Sequence, residues 1–213
     1  EAALRAIQAD GNTSTELGYM NFSVRKKNDN IIYTTISLKD EYYDLFVDIH
    51  YNAYQQEDII EQWVEIKNKQ KKSVKLTNFA SSDLSFNASK YYVSHFHGDW
   101  SNEMNISEQQ LTEGIKIIDS KLGVRTTQFT HPAFILSLNQ QAAENSGEII
   151  GGTLAWPGNF QFSFEVDNMD KLRVLSGANP YASEYTLEKN EIFKTPSFLF
   201  TYSNKGTGKM TRN

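Results

Sequence analysis

The sequence contains no cysteine and no long apolar run among its 213 residues. Without cysteine, disulfide bonds, thiolate zinc sites and a cysteine nucleophile are excluded, although no cellular compartment is identified. No apolar run approaches the ~20 residues that span a bilayer, and no signal peptide is visible, so we expect no membrane partner. The chain opens at Glu1 rather than at Met, so the missing targeting segment leaves its localisation unassigned.

Charge and aromatic content narrow the function classes further. The net charge of -5 and the pI of about 5.4 argue against a nucleic-acid partner, because proteins that bind nucleic acids carry a basic surface. The densest basic run, residues 69–75, is interpreted as a solvated hairpin tip. Aromatic residues make up 13% of the chain, which favours strands and surfaces that recognise flat or polyhydroxylated ligands.

The clearest strand signal is an unbroken alternation of apolar and polar residues at positions 160–166. This period of two is typical of a strand with one buried face. The side chains that we expect to be buried are Phe160, Phe162, Phe164 and Val166. We expect Gln161 and Glu165, on the opposite face, to be more exposed.

Similar patterns predict strands through most of the chain. They cover residues 19–24, 43–54, 59–66, 74–79, 91–96, 115–119, 134–138, 171–175 and 198–202. The predicted strands at 59–66 and 74–79, on either side of the basic run at 69–75, are expected to form a meander. Ser107 and Gln110 fit a capping box, but no long apolar stripe follows them, so any helix there is expected to span only one or two turns. The sequence therefore predicts one all-β domain over residues 1–213, a large antiparallel sandwich of two stacked sheets.

The turn before residue 160 is the candidate binding site. Trp156, Pro157, Gly158 and Asn159 combine an aromatic plate, a rigid φ, a permissive glycine and an amide. Such a turn can hold the indole at the rim of a sheet, where a sugar could stack on it and hydrogen-bond to the amide. The alternative is a β-hairpin corner whose tryptophan packs in the core.

A second pattern suggests a metal site. His95 and His97 share one face of a strand and Asp99 follows, which resembles the His-x-His-x-Asp element of metallo-β-lactamase-like hydrolases. That element continues with histidine, whereas Trp100 stands here. The chain has only four histidines, too few for two metal centres, so we expect no metal and no other cofactor.

Other catalytic templates find no match. The chain has no Gly-x-Gly-x-x-Gly after a strand and no Gly-x-Ser-x-Gly elbow. Its many carboxylates cannot be paired as a glycosidase acid and nucleophile from sequence, and solvation is their default explanation.

Six motifs occur in the same order as in a known module. They lie at residues 9–12, 54–63, 98–104, 154–160, 177–181 and 191–196. Together they resemble the amino-terminal β-supersandwich domain, a galactose-mutarotase-like fold, of family-36 glycoside hydrolases, the bacterial α-galactosidases. Pro157 departs from that pattern, because the family more often has serine there. The resemblance covers nearly the whole chain, although the earliest strands of the domain are expected to be missing.

The resemblance implies a non-catalytic part of a retaining exo-α-galactosidase. In that family a (β/α)₈ barrel follows this domain and carries the catalytic aspartates, one of them in a Lys-Trp-Asp motif that this chain lacks. The sandwich is expected to abut the mouth of the barrel, where its loops wall the pocket for α-galactosides or stabilise a homo-oligomer. The turn residues Trp156, Gly158 and Asn159 are the expected substrate contacts, with Trp100 and Asp99 as weaker neighbours.

Two alternatives to this reading stay open. One is a free-standing carbohydrate-binding sandwich whose site is the Trp156 turn itself. The other is a β-fold metallohydrolase built on His95 and His97.

Overall fold

The computed structural model describes residues 1–212 as a chain built almost wholly of strands. Its strands are β1 (Leu4–Ile7), β2 (Leu17–Lys26), β3 (Ile31–Asp40), β4 (Leu45–Tyr54), β5 (Ile59–Asn68), β6 (Val74–Asn87), β7 (Tyr91–Asp99), β8 (Asn102–Leu111), β9 (Gly114–Asp119), β10 (Thr130–Ala143), β11 (Ser146–Ala155), β12 (Phe160–Val166), β13 (Lys171–Ala178), β14 (Tyr185–Leu187), β15 (Ile192–Lys194) and β16 (Ser197–Ser203). Within the described residues, regular helix is confined to a 3₁₀ turn at Gly123–Arg125 and to α1 at Gly206–Met210. No helix of this described part is long and apolar enough to cross a membrane.

The strands form two antiparallel sheets. The smaller sheet has six strands in the order β1-β6-β13-β12-β9, with β14 pairing to β6. The larger has ten in the order β2-β3-β4-β5-β16-β11-β10-β7-β8, with β15 pairing to β5. The prediction of an all-β, antiparallel two-sheet sandwich is confirmed.

The core lies between the sheets, and β12 supplies its centre. Phe160, Phe162 and Phe164 are fully buried, as the alternation predicts, and Val166 is only 5% exposed. The ring of Phe134 on β10 meets Phe162 and Phe164 edge-to-face at centroid distances of 5.1 and 5.0 Å. Burial of each such side chain is worth about 1.5–3 kcal/mol, so this aromatic group is a main source of cohesion between the sheets.

A glycine on β11 makes the aromatic packing possible. A Cβ at Gly152 would lie 2.7 Å from Cζ of both Phe134 and Phe198. Those two rings meet across the glycine in a stacked arrangement, with their centroids 6.1 Å apart. A side chain at this position would therefore force the two rings apart.

Two local predictions are wrong. The basic run at 69–75 is not a hairpin tip, because β5 lies in the ten-stranded sheet and β6 in the six-stranded sheet. The turn carries the chain between the sheets, held by the fully buried Asn68, whose Nδ2 donates to the carbonyl of Leu187 at 3.0 Å. Ser107 and Gln110 lie within strand β8, which pairs with β7, so no capped helix forms there.

Candidate functional site

The turn at residues 156–159 is a crossing between the two sheets. It leaves β11, which pairs with β10 and β16 in the larger sheet, and enters β12, which pairs with β9 and β13 in the smaller one. The hairpin alternative is therefore wrong. The turn lies at one end of the sandwich, where the chain must bridge the gap between the layers.

Trp156 folds back over its own turn. A Cβ at Gly158 would lie 2.6 Å from the indole Nε1 and 2.8 Å from Cε2, so only glycine leaves room for the ring. The indole Nε1 donates a hydrogen bond to the carbonyl oxygen of Asn159 at 3.1 Å. The side chain nevertheless remains 40% exposed, so the alternative of an enclosed core tryptophan is also wrong for this chain.

Asn159 uses its amide oxygen inside the protein. Its Oδ1 accepts a hydrogen bond from the main-chain N–H of Gly123 at 2.6 Å, and its carbonyl oxygen accepts one from Asn179 N–H at 2.9 Å. Among residues 1–212, no hydrogen bond is formed by its Nδ2. The turn can therefore offer a ligand the amide N–H groups of Asn159, rather than both amide atoms as the sequence suggested.

Asn179 is a supporting residue of the site that sequence reasoning missed. It is 4% exposed, and its Nδ2 lies within hydrogen-bond distance of Asp119 Oδ2, Ser120 O and Phe160 O at 3.0, 3.1 and 3.3 Å. Its Oδ1 accepts from Tyr181 N–H at 3.0 Å. The sequence signal was the pair Asn179-Pro180, which favours a turn, but nothing in it indicated which strands the amide would join.

Trp100 and Asp99 form a hairpin tip at the same end of the larger sheet. Asp99 pairs with Asn102 across the tip, and its Oδ1 accepts from Trp100 N–H at 2.7 Å. The indole of Trp100 is 89% exposed. Because β10 pairs with both β7 and β11, this tip is two strands away from Trp156, and no ring contact joins the two indoles within the described residues.

The segment between β9 and β10 joins the hairpin tip to the Trp156 turn. Gly123 of this segment donates to Asn159, and the carbonyl of Phe129 accepts from Gly98 N–H at 3.1 Å. The same segment exposes apolar side chains, with Val124 99% exposed. We call this surface the aromatic end; its exposed members are Trp100, Leu122, Val124, Phe129, Trp156 and Tyr181. Several exposed apolar side chains at one end of a fold are typical of an interaction surface.

The histidine pair does not gather further ligands. The rings of His95 and His97 lie with their centroids 5.7 Å apart. Burial lowers the pKa of His95 below its ordinary value, with smaller contributions from Lys116 and His97, so the ring favours its neutral form. Within residues 1–212 no group of three or more His, Asp or Glu side chains is arranged to hold a metal ion.

Two carboxylates are structural rather than simply solvated. Asp40 is 1% exposed and accepts main-chain N–H groups, including those of Tyr42 and Tyr43 at 2.9 Å each. Glu61 lies on the outer face of β5. Burial by itself raises the pKa of Glu61, but hydrogen bonds outweigh it and lower the pKa; the donors are Asn52, Ser197 and Tyr54. The default explanation of solvation is wrong for these two residues.

The chain matches a known protein family. The profile of the glycosyl hydrolase family 36 N-terminal domain matches residues 1–188. The α-galactosidase AgaA of Geobacillus stearothermophilus is 30% identical over 177 residues, which cover 83% of this chain and 24% of AgaA. The α-galactosidase Mel36A of Lactobacillus acidophilus is 26% identical over 217 residues, covering 95% of this chain and 29% of Mel36A.

Solved structures give the same match. The crystal structure of AgaA superposes on 99% of this chain with a TM-score of 0.92 and 26% identity, and the match takes up 31% of the AgaA chain. A variant of AgaA solved in complex with stachyose also matches, with a TM-score of 0.92 and 27% identity. The chain therefore spans less than a third of the length of these relatives.

Proposed function

Because this chain belongs to the N-terminal domain family of the family 36 glycoside hydrolases, we propose that it is the non-catalytic N-terminal domain of a retaining α-galactosidase. The parent enzyme would remove terminal α-galactose from oligosaccharides such as the stachyose and raffinose bound in AgaA variants. The chain matches only 24% and 29% of the two α-galactosidases compared above, which supports a longer parent that contains the catalytic barrel.

The observation that carries the detailed proposal is the exposure of the aromatic end. Large apolar side chains such as Val124, Trp100 and Trp156 are costly to leave in water, at 99%, 89% and 40% exposure. Packing of the aromatic end beside the catalytic barrel would remove much of this surface from water. In that arrangement the free face of Trp156 and the amide N–H groups of Asn159 would form part of the wall of the galactose pocket.

A second candidate function is a carbohydrate-binding module that acts without a barrel. It is favoured by the same partly exposed indole, since an aromatic face is a common platform for the C–H side of a sugar. The two candidates differ in what the 213-residue chain does with galactose or raffinose. A pocket wall alone should give no measurable binding by calorimetry, whereas a complete binding module should bind and should lose binding in Trp156→Ala.

Activity measurements test the main proposal. The 213-residue chain should not hydrolyse an aryl α-galactoside above background, whereas the full-length parent protein should hydrolyse it. Turnover by the pure 213-residue chain that a substitution within it abolishes would contradict the non-catalytic role. Loss of such turnover on addition of a chelator would instead support the metallohydrolase alternative at His95 and His97.

The aromatic end is also a candidate contact between copies of the parent protein. A homo-oligomer held by the aromatic end would also bury its exposed side chains. Sedimentation of the full-length parent, with and without the double substitution Trp100→Ala and Val124→Ser, would show whether this surface holds copies together.

A further inference from the structure

A cavity of about 240 Å³ lies between the two sheets, in the half of the sandwich built by β3, β4, β5 and β6. It is separate from the aromatic end, and none of its lining residues is a candidate sugar contact. Most of its wall is apolar and includes the aliphatic side chains of Leu17, Leu38, Val47, Ile49 and Val64.

Two uncharged polar side chains interrupt the apolar wall. Gln62 on β5 and Ser82 on β6 are 3% and 2% exposed, and both line the cavity from opposite sheets. The Oε1 of Gln62 and the Oγ of Ser82 have no hydrogen-bond partner within residues 1–212. Nearly all buried polar atoms in folded proteins are hydrogen-bonded, and a hydroxyl group inside the cavity would give both of these atoms a partner.

The charge around the cavity limits what that partner can be. The residues that line it include no Lys, Arg or His, so nothing there would compensate a buried carboxylate or phosphate. The one ionised lining residue is Asp83, whose carboxylate is paired with the guanidinium of Arg173. An uncharged ligand is therefore favoured over a fatty acid or another anion.

We propose that this cavity binds a small neutral molecule with an apolar body and one hydroxyl group. The hydroxyl would donate to Gln62 Oε1 and accept from Ser82 Oγ, and the apolar body would contact the surrounding aliphatic side chains. A cavity of about 150 Å³ lined by aliphatic side chains can hold benzene, so a ligand of about eight to ten heavy atoms suits the larger space here.

Access to the cavity is provided by its partly exposed rim. Leu17, Leu38 and Val64 line the cavity and are only partly buried, so the space reaches the surface between the sheets. The cavity therefore opens to solvent at this rim.

The test uses p-cresol and toluene as a pair of probes that differ by one hydroxyl group. Each is titrated into the 213-residue chain while methyl signals are followed by NMR. We expect p-cresol to shift the methyl signals of Val47, Ile49 and Val64. The proposal is overturned if about 5 mM p-cresol shifts none of them, since a millimolar Kd would be detected at that concentration.

Two kinds of variant separate the polar contact from the cavity itself. Gln62→Met should weaken p-cresol binding about fivefold, the effect of one net hydrogen bond, and should leave toluene binding unchanged within about twofold. Val64→Phe should fill the space and abolish binding of both probes, and Leu38→Phe serves the same purpose if Val64→Phe does not fold. The control is Glu65→Gln, on the opposite face of the same strand, which should leave both affinities unchanged.

The remaining outcomes decide against the site. Equal weakening of p-cresol and toluene by Gln62→Met would show that Gln62 does not recognise the hydroxyl. Unchanged p-cresol binding in a folded Val64→Phe or Leu38→Phe variant would show that the probe binds elsewhere.

Discussion

The indole Nε1 of Trp156 donates to the carbonyl oxygen of Asn159 at 3.1 Å, and this bond closes the turn that joins the two sheets. The ring lies over Gly158 while the side chain remains 40% exposed. One tryptophan therefore stabilises the turn and also presents apolar surface to the outside. A substitution that displaces the ring should affect both roles.

Gly158→Ala should destabilise the chain by displacing the indole. The added Cβ would lie 2.6 Å from Trp156 Nε1, so the ring must move and its hydrogen bond to Asn159 must lengthen. Overpacking of this kind costs about 1–3 kcal/mol in the free energy of unfolding, which urea denaturation would measure.

Gly18→Ala is the matched control for that experiment. A Cβ at Gly18 would meet only the carbonyl oxygen of Lys39, at the ordinary contact distance of 3.8 Å. Its free energy of unfolding should lie within about 0.5 kcal/mol of that of the unsubstituted chain, or be higher. Equal losses in the two variants would mean that the Trp156–Gly158 contact is not what the first substitution disrupts.

The strand faces could be predicted from the sequence, whereas the pairing between strands could not. The alternation through Phe160 and Phe164 fixes which side chains are buried, because the side-chain period of a strand is two. No comparable local signal shows that residues 156–159 cross between sheets, or that residues 69–75 do the same. Pairing depends on contacts far apart in sequence, such as that of Gln161 with Asp119.

The candidate site could be predicted only in part, because the sequence shows the residue types of the turn but not their contacts with distant residues. The residue types in the turn allowed either an exposed tryptophan beside an amide or a tryptophan packed in the core, and the structure has the exposed arrangement. The hydrogen bond from Gly123 N–H to Asn159 Oδ1 joins residues 36 positions apart. The residues of the turn alone therefore could not show that this amide oxygen is already bonded within the protein.

Asn179→Ala should destabilise the same end of the sandwich through lost hydrogen bonds. The substitution removes the amide that reaches Asp119 Oδ2 and the carbonyl of Ser120, and it leaves Tyr181 N–H without its acceptor. We expect a loss of about 2–3 kcal/mol in the free energy of unfolding. Asn168→Ala, at an exposed position, should change it by less than about 0.5 kcal/mol. Similar losses for both would show that the Asn179 network carries little energy.

His50 gives the chain a stability that depends on pH. Its ring lies in a stack with Tyr33 and Trp63, at centroid distances of 5.8 and 5.1 Å. Burial lowers its pKa below the ordinary 6.5, and this outweighs the opposite effects of the carboxylates of Glu65 and Asp48. The folded chain therefore favours the neutral ring, and the unfolded chain takes up a proton first as the pH falls.

His50→Gln should reduce the loss of stability on acidification. Because the pKa of His50 is lowered in the folded chain, its contribution to the free energy of unfolding is complete above pH 6.5 and is lost as the pH falls below that value. Urea denaturation would give the free energy of unfolding at about pH 7.5 and about pH 5.5. The difference between these two values should be smaller for the variant than for the unsubstituted chain. Glu61→Gln should change the pH dependence only in a lower range, below the ordinary Glu pKa of 4.5. An unchanged difference in His50→Gln would contradict the role of His50.

In the full-length parent that we propose to be an α-galactosidase, Trp156→Ala should impair turnover more than its effect on folding explains. If the exposed indole face is part of the pocket wall, its removal forfeits about 1 kcal/mol of stacking, so kcat/KM for a galactoside should fall about three- to tenfold. Trp156→Phe should retain much of this activity, because it keeps an aromatic face and loses only the bond to Asn159. Trp100→Ala should have a smaller effect, since its hairpin tip lies two strands away. Unchanged kinetics in a folded Trp156→Ala enzyme would mean that this turn only holds the two sheets together.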